Sequence, residues 1–241
     1  MRMLNFANRN LKEIIRDPLS IIFAILLPLF LLLIFQQFEI PNEVYQIENF
    51  TPGIVVFSFS FITLFTAMLV AKDRGTSLLT RLGISPMRPI EYVLGYILAV
   101  LPIIILQNIL FFVVAICLGL HFNMQVIYTI LASIPLSVLF ISLGILIGSF
   151  TTEKSASGVS SIVVQLVAFT SGMYFSVDMI GKFFAFICNF LPFYHCVYLL
   201  QGLLNHHYQG LLDASIVVIL YTFIALGIAV IVFQRKMIDH K

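Results

Sequence analysis

Residues 92–152 read YVLGYILAVLPIIILQNILFFVVAICLGLHFNMQVIYTILASIPLSVLFISLGILIGSFTT, without one Asp, Glu, Lys or Arg. A helix needs about 20 apolar residues to cross a hydrocarbon core of about 30 Å. The window is too long for one crossing and long enough for two. It divides at Gly119-Leu120-His121-Phe122-Asn123, where polar and turn-prone residues interrupt two apolar runs. Two membrane helices joined by a short turn are the reading.

The same test applied outward finds further charge-free windows at Pro18–Phe38, Asn49–Ala71, Ser155–Val177, Phe183–Leu212 and Ala214–Gln234. Composition agrees. The chain of 241 residues is 61% apolar and 10% charged, against about 45–50% and about 25% in ordinary soluble domains. A soluble fold of this size would leave aggregating apolar surface exposed. A soluble enzyme, a secreted disulfide scaffold and a disordered chain are disfavoured, and an all-α integral membrane protein is expected. Six spans are predicted, at 19–38, 53–71, 92–119, 125–150, 157–175 and 214–233, in a single transmembrane domain covering 1–241.

The window 183–212 is treated separately. It holds Asn189, Pro192, His195, Gln201, Asn205, His206, His207 and Gln209. A lipid-exposed backbone broken by a mid-segment proline would leave amides unsatisfied. We read 176–212 as an outer re-entrant region made of two short half-helices broken near Pro192. Lys and Arg then fall asymmetrically: with six spans, 12 of the 13 lie on one side and Lys182 alone on the other, where Glu39, Glu43 and Glu48 also sit. The excess of bases marks the cytoplasmic face, so both termini are expected there. A seventh span would move Arg235, Lys236 and Lys241 outside and spoil the asymmetry. No cleaved signal peptide is expected, since the charged lead-in is too long for an n-region and no small-x-small pattern follows the apolar run.

Residues 1–17 alternate Leu4, Ala7, Leu11, Ile14 and Ile15 with polar and basic positions at helical spacing. This predicts an amphipathic helix in the cytoplasmic interface, bases toward anionic head groups, ended by Asp17-Pro18. The loop 72–91, KDRGTSLLTRLGISPMRPIE, is long for this chain. Ser77 is suited to cap a short helix with Leu78, Leu79 and Leu82 on its apolar side, stopped by Gly83 and Pro86. Such a helix either docks into a groove on another protein or rests on the bilayer by its own leucines; periodicity alone does not separate the two.

No Asp, Glu, Lys or Arg lies inside a predicted span. Ion-coupled carriers, pumps and voltage sensors place such groups there, so those classes are disfavoured, and so is a membrane enzyme working with carboxylates. No H-E-x-x-H occurs, and no G-x-x-x-x-G-K-[ST] that would cradle ATP phosphates. The chain is therefore not expected to be an enzyme or to hold a cofactor. Small and polar residues mark particular helix faces. Ser157, Ser161, Gln165 and Gly172 lie near one stripe of span five, read either as helix contacts within one subunit or as the face of a pathway or subunit interface. Gly144 and Gly148 form a small-xxx-small pair in span four, and Gln107 and Asn108 sit midway along span three. Cys188 and Cys196 both fall on the outer side, read either as a bridge or as free apolar thiols, and three cysteines are too few for a disulfide framework. His206-His207 lacks a cysteine or carboxylate at ligand spacing, so no metal site is expected. The small net charge of +2 gives no reason to expect nucleic acid.

In this arrangement the chain resembles the membrane subunits of type-2 ATP-binding-cassette exporters. Arg16-Asp17-Pro18 before an apolar run containing Pro28 is similar to that family's interfacial helix and first span. Asp73-Arg74, then Leu79-Thr80-Arg81-Leu82, Ser85-Pro86, Glu91 and Gly95 are similar to its loop pattern. Gly172-Met173-Tyr174-Phe175, then Leu191-Pro192 and Leu199–Leu203, are similar to its outer half-helices. Ser77 and Gln201 differ from the glycine and the basic residue often found at those places. The resemblance implies a bacterial or archaeal cytoplasmic membrane and a dimer with a second copy or a homologous permease. It also implies a separate cytoplasmic ATP-binding-cassette ATPase, which carries the ATP and magnesium and grips a coupling helix. On that reading Asp73, Arg74, Leu79, Arg81, Leu82, Ser85 and Pro86 couple to the ATPase, and Leu191 and Pro192 belong to an outer gate. The substrate is expected to be a hydrophobic or amphipathic small molecule or peptide, with lipid-linked glycan export and a stand-alone six-helix carrier as alternatives.

Overall fold

The computed structural model describes residues 2–38, 41–75, 88–175, 177 and 181–238. Among the described residues the chain forms nine α-helices and one short 3-10 turn, Glu43–Tyr45, with no strand. The helices are α1 (Arg2–Ile15), α2 (Pro18–Gln37), α3 (Ile47–Gly75), α4 (Pro89–Cys117), α5 (Met124–Phe150), α6 (Glu153–Thr170), α7 (Lys182–Phe190), α8 (Pro192–Leu204) and α9 (Leu211–Ile238).

Local chemistry sets the boundaries. The long window divides between α4 and α5, where Gly119 adopts φ +117 and the Asn123 side chain accepts from the Val126 amide. Asparagine at this position relieves one of the orphan donors at a helix start. Pro89 opens α4 at a position that needs no amide donor, and the Arg88 amide donates to Glu91. Thr152 caps α6 through the Ser155 amide.

Among the described residues four helices are long and apolar enough to cross a membrane: α3, α4, α5 and α9, the last counted over Leu211–Arg235. A fifth crossing is reached if α7 and α8 are taken as one bent pair. The predicted six-span count is thus not reproduced by length and composition alone. The expected fifth span, 157–175, stops at Thr170 as α6, because the backbone turns at Gly172 with φ +76. α6 is 18 residues long and begins with Glu153 and Lys154, which leaves a short apolar stretch. In α2 the apolar helix counted is Ile22–Gln37.

The window 183–212 forms two helices, α7 and α8, meeting at Leu191 with a bend of 81°. The break leaves carbonyls that side chains satisfy. Tyr221 of α9 donates to the Phe190 carbonyl at 2.7 Å, and the His195 ring nitrogen lies 2.8 Å from the Asn189 carbonyl. Irregular backbone at membrane depth is tolerated where protein supplies such partners.

α3 is the centre. It packs on α5, α6, α2, α8 and α4, and 78% of its apolar window is buried, against 28% for α9. Gly144 and Gly148 let α5 approach it closely. A Cβ on Gly144 would meet the Thr63 carbonyl at 2.6 Å, and one on Gly148 the Ala67 carbonyl at 2.5 Å. Thr63 Oγ1 donates to the Phe140 carbonyl at 2.8 Å across the same contact. Gln107 donates to Ser58, and Asn108 to Ser133 at 2.7 Å, tying α4 to α3 and α5. These polar residues make helix–helix contacts within one chain.

α1 docks on the protein by one side and leaves part of the stripe 4, 7, 11, 14, 15 outward. Leu4 and Ile15 are exposed, while Phe6, Ala7 and Asn10 are buried as α1 docks on α4. Phe6 meets Tyr92 and Tyr96 edge-on, with centroids 5.4 and 5.1 Å away. Gly95 makes the seat: a Cβ there would fall 2.6 Å from the Phe6 ring.

Because the α3–α5 contact is backbone-close, Gly148→Leu should destabilise the detergent-solubilised protein by about 1–3 kcal/mol, the scale of overpacking. Gly227→Leu, where a Cβ meets open space, should leave the thermal unfolding midpoint near wild type. Equal midpoints for both variants would remove the close-approach argument.

Candidate functional site

The polypeptide leaves α3 through Lys72, Asp73, Arg74 and Gly75 directly into the loop 76–87. Leu79, Arg81, Leu82, Ser85 and Pro86, expected to form the coupling element, lie outside the described residues. Asp73 and Arg74 are described, and each is bound into the body of the same chain.

Asp73 is buried, 1% exposed. A carboxylate taken out of water is costly unless paired and hydrogen-bonded. Here Arg9 of α1 closes on it as a fork, Nη2 to Oδ1 at 2.8 Å and Nη1 to Oδ2 at 3.1 Å. The Tyr96 hydroxyl of α4 donates to Oδ2 at 2.8 Å. Charge-assisted bidentate pairs of this kind fix geometry as well as adding energy. Arg9 also reaches Glu13 at 2.8 Å and Asn10 at 3.1 Å, and Lys72 lies 2.8 Å from the other Glu13 oxygen. Burial works against the charge on Arg9, but the hydrogen bond and negative charge of Asp73 outweigh it, and its pKa rises above the usual guanidinium value. That partner therefore stays charged throughout the physiological range.

Arg74 points the other way. Its Nη1 donates to the carbonyls of Gly148 at 3.0 Å and Thr151 at 3.2 Å, groups left over at the C-terminus of α5. A helix C-terminus carries partial negative charge and favours a cation. Two consecutive residues thus fasten the end of α3 to α1 and α4 on one side and to α5 on the other. Beside them a polar basin of about 880 Å³ is lined by residues that include Arg9, Lys12, Arg16 and Lys72.

The remaining sequence candidates are scattered. Ser157 is half-buried, and Ser161 and Gln165 are exposed, on the side of α6 away from the Ala156, Ser160, Val164 and Val167 face that is buried. Gly172 is half-buried beside the Tyr194 ring. Leu191 and Pro192 sit at the α7–α8 break, the proline buried. Cys188 and Cys196 are buried and free. Sequence reading missed Arg9, Glu13 and Tyr96 as members of the cluster. An Arg9–Glu13 pair at i, i+4 and a tyrosine one turn beyond Tyr92 are visible in the sequence, but nothing there links them to Asp73.

Asp73→Asn should remove the charge that holds Arg9 and loosen α1. The loss is about 1.5–3 kcal/mol, the scale of a hydrogen bond to a charged group. Trypsin cleavage after Lys12 or Arg16 should accelerate by about tenfold or more. Lys72→Ala, which breaks a half-exposed pair, should change cleavage little. Equal rates for wild type and Asp73→Asn would show that the fork does not hold α1.

Comparison with known proteins places this geometry. No curated protein matches the sequence. The family model described as ABC-2 type transporter matches residues 3–205, from α1 to the end of α8. With most of its length matched and several apolar helices long enough to span, the chain belongs to the ABC-2 type transporter family, as a multi-pass membrane permease subunit of an ABC transporter.

Proposed function

We propose that the chain is half of an ATP-driven exporter, with α2, α3, α4, α5, α6 and α9 as six spans and both termini in the cytoplasm. At 1.5 Å per residue, α2 and α6 are about 30 and 27 Å long, enough to cross with flanking residues at the interfaces. The 12-to-1 distribution of bases supports the orientation. Two such subunits form the pathway, and two cytoplasmic ATP-binding-cassette ATPases, carrying ATP and magnesium, grip the loop 72–91. The stripe of half-buried Ser157 and exposed Ser161 and Gln165 belongs to the face between subunits or to the pathway, and Leu191 and Pro192 close its outer end. The substrate is a hydrophobic or amphipathic small molecule or peptide.

The observation that carries this reading is the cluster at Asp73 and Arg74. A loop pulled by a partner has to move something to do work on the membrane domain. Here the helix entering that loop is tied by ion pairs and hydrogen bonds to α1, α4 and α5. Displacement of residues 76–87 would shift these elements together and change the populations of inward- and outward-open states.

Topology is tested in a cysteine-free background. Thr80→Cys should stay unlabelled by an impermeant reagent in intact cells and become labelled after permeabilisation; labelling in intact cells would overturn the orientation. The partner is tested by replacing Leu79 and Leu82 with Asp. Burying each leucine in an ATPase groove contributes about 1.5–3 kcal/mol at most, less the entropy of ordering the loop. The double variant should insert normally yet lose ATPase co-purification or uncouple transport from hydrolysis, with Arg81→Ala milder. Undiminished export by the inserted double variant would refute the coupling assignment.

A further inference from the structure

Between α5, α8 and α9 runs a groove of about 500 Å³ that the transport reading does not use. Ala132 and Pro135 of α5, Leu199 and Leu203 of α8, and Ser215 and Thr222 of α9 line it. The volume falls within the range of about 300–1,000 Å³ typical of small-molecule sites. Its lining is apolar in effect, because both hydroxyls are spent on their own helix: Ser215 donates to the Leu211 carbonyl and Thr222 to the Val218 carbonyl, each at 2.7 Å. An occupant with amides or hydroxyls would find no partner there. A hydrocarbon chain needs none.

The mouth of the groove opens on the least enclosed of the long apolar helices. Leu212, Ile219 and Phe223 of α9 border it and are 81%, 54% and 70% exposed. They continue the outward apolar face of a helix long enough to span, so the medium at the mouth is the acyl region of the bilayer. One end of the groove is different. Leu203 and Leu211 flank the turn 205–210, which is pinned to α8 by the His207 amide on the Gly202 carbonyl at 2.8 Å and the Tyr198 hydroxyl on the Gln209 carbonyl at 2.9 Å. His206 in this turn has φ +57, a conformation unusual for a residue with a side chain. Gln125, at the start of α5, reaches its Nδ1 at 3.0 Å and the Tyr208 hydroxyl at 3.4 Å. The exposed His206 ring and Tyr208 hydroxyl, held in place by the Gln125 amide, therefore stand at one end of a dry apolar slot.

We propose that this groove is a binding site for one bilayer phospholipid, an acyl chain lying between α5, α8 and α9 and the head-group phosphate at His206 and Tyr208. Slot and donors match the two halves of an amphiphile in the right order. The proposal needs only that the chain is membrane-embedded and stands apart from the direction or cargo of transport.

The chain has no tryptophan, so Phe223→Trp places a single indole reporter at the mouth. Ile231→Trp, made separately at an exposed position two turns further along α9, reports ordinary annular lipid. The full-length variants are reconstituted in phosphatidylcholine vesicles containing increasing fractions of brominated phosphatidylglycerol, whose phosphodiester is not masked by choline. Half-quenching of the mouth reporter should need an about threefold lower fraction than that of the annular reporter, the equivalent of one net hydrogen bond. His206→Ala with Tyr208→Phe should abolish that difference without touching the slot. Ala132→Phe, or Ser215→Leu where the first variant does not give a monodisperse protein, should lower the maximal quenching of the mouth reporter. Equal half-quenching of the two reporters would show annular contact only, and absence of quenching at the mouth would show that another protein surface covers the groove; either result overturns the site.

Discussion

A carboxylate 1% exposed at the end of a long apolar helix stands only if strong donors come to it. That constraint organises the side of the molecule where α3 ends. Arg9 supplies the fork and Tyr96 the third bond. To bring Arg9 there, α1 must lie against α4, which in turn requires the Phe6 ring to sit over Gly95. The glycine, the ring and the ion pair are one device. Removing the carboxylate's charge leaves a guanidinium held only by Glu13 and Asn10 on its own helix, and leaves the half-exposed Lys72–Glu13 pair as the remaining charge contact between α1 and α3.

The membrane setting makes the interior and the surface exchange roles. Apolar burial gives little drive between helices surrounded by hydrocarbon, so association rests on close packing and hydrogen bonds. The centre of the bundle shows both: carbonyl-close glycines at 144 and 148, and Thr63, Gln107 and Asn108 bonding across helices. Large apolar side chains are abundant outside, among them Phe23, Leu26, Phe30 and Leu33 on α2 and Phe183, Phe186 and Phe190 on α7. A soluble protein with this distribution would aggregate.

Helix positions were legible because their causes are local. Charge-free windows, the turn-prone run 119–123 and the break near Pro192 act on the residues beside them. What was not legible depends on distance in sequence. Periodicity marks 4, 7, 11, 14 and 15 on the first helix but does not single out Phe6 and Asn10, which with Ala7 are buried against the protein. The seat for Phe6 depends on Gly95, some ninety residues away. Asp73 and Arg74 were recognised as a pair at the head of the loop, but their bonds run to Arg9, Tyr96, Gly148 and Thr151. Charge patterning places such residues on a side of the membrane and says nothing of their partners. The end of α6 differs from the expected span for a local reason: the charge-free window continues to Val177, but the backbone turns at Gly172 with positive φ.

The stiffness of the centre decides how a pull on the loop after α3 would travel. Gly144 and Gly148 bring α5 so close that sliding α3 along it would drive backbone into backbone. Packed contacts of this kind are bistable rather than continuously deformable. The end of α3 is different: its ties to α1, α4 and α5 are single side chains, which can rotate or exchange partners without collision. A force on residues 76–87 would therefore be taken up first where α3 ends, by α1 and the C-terminus of α5. It would reach the far side only through rigid movement of the α3–α5 pair as a unit.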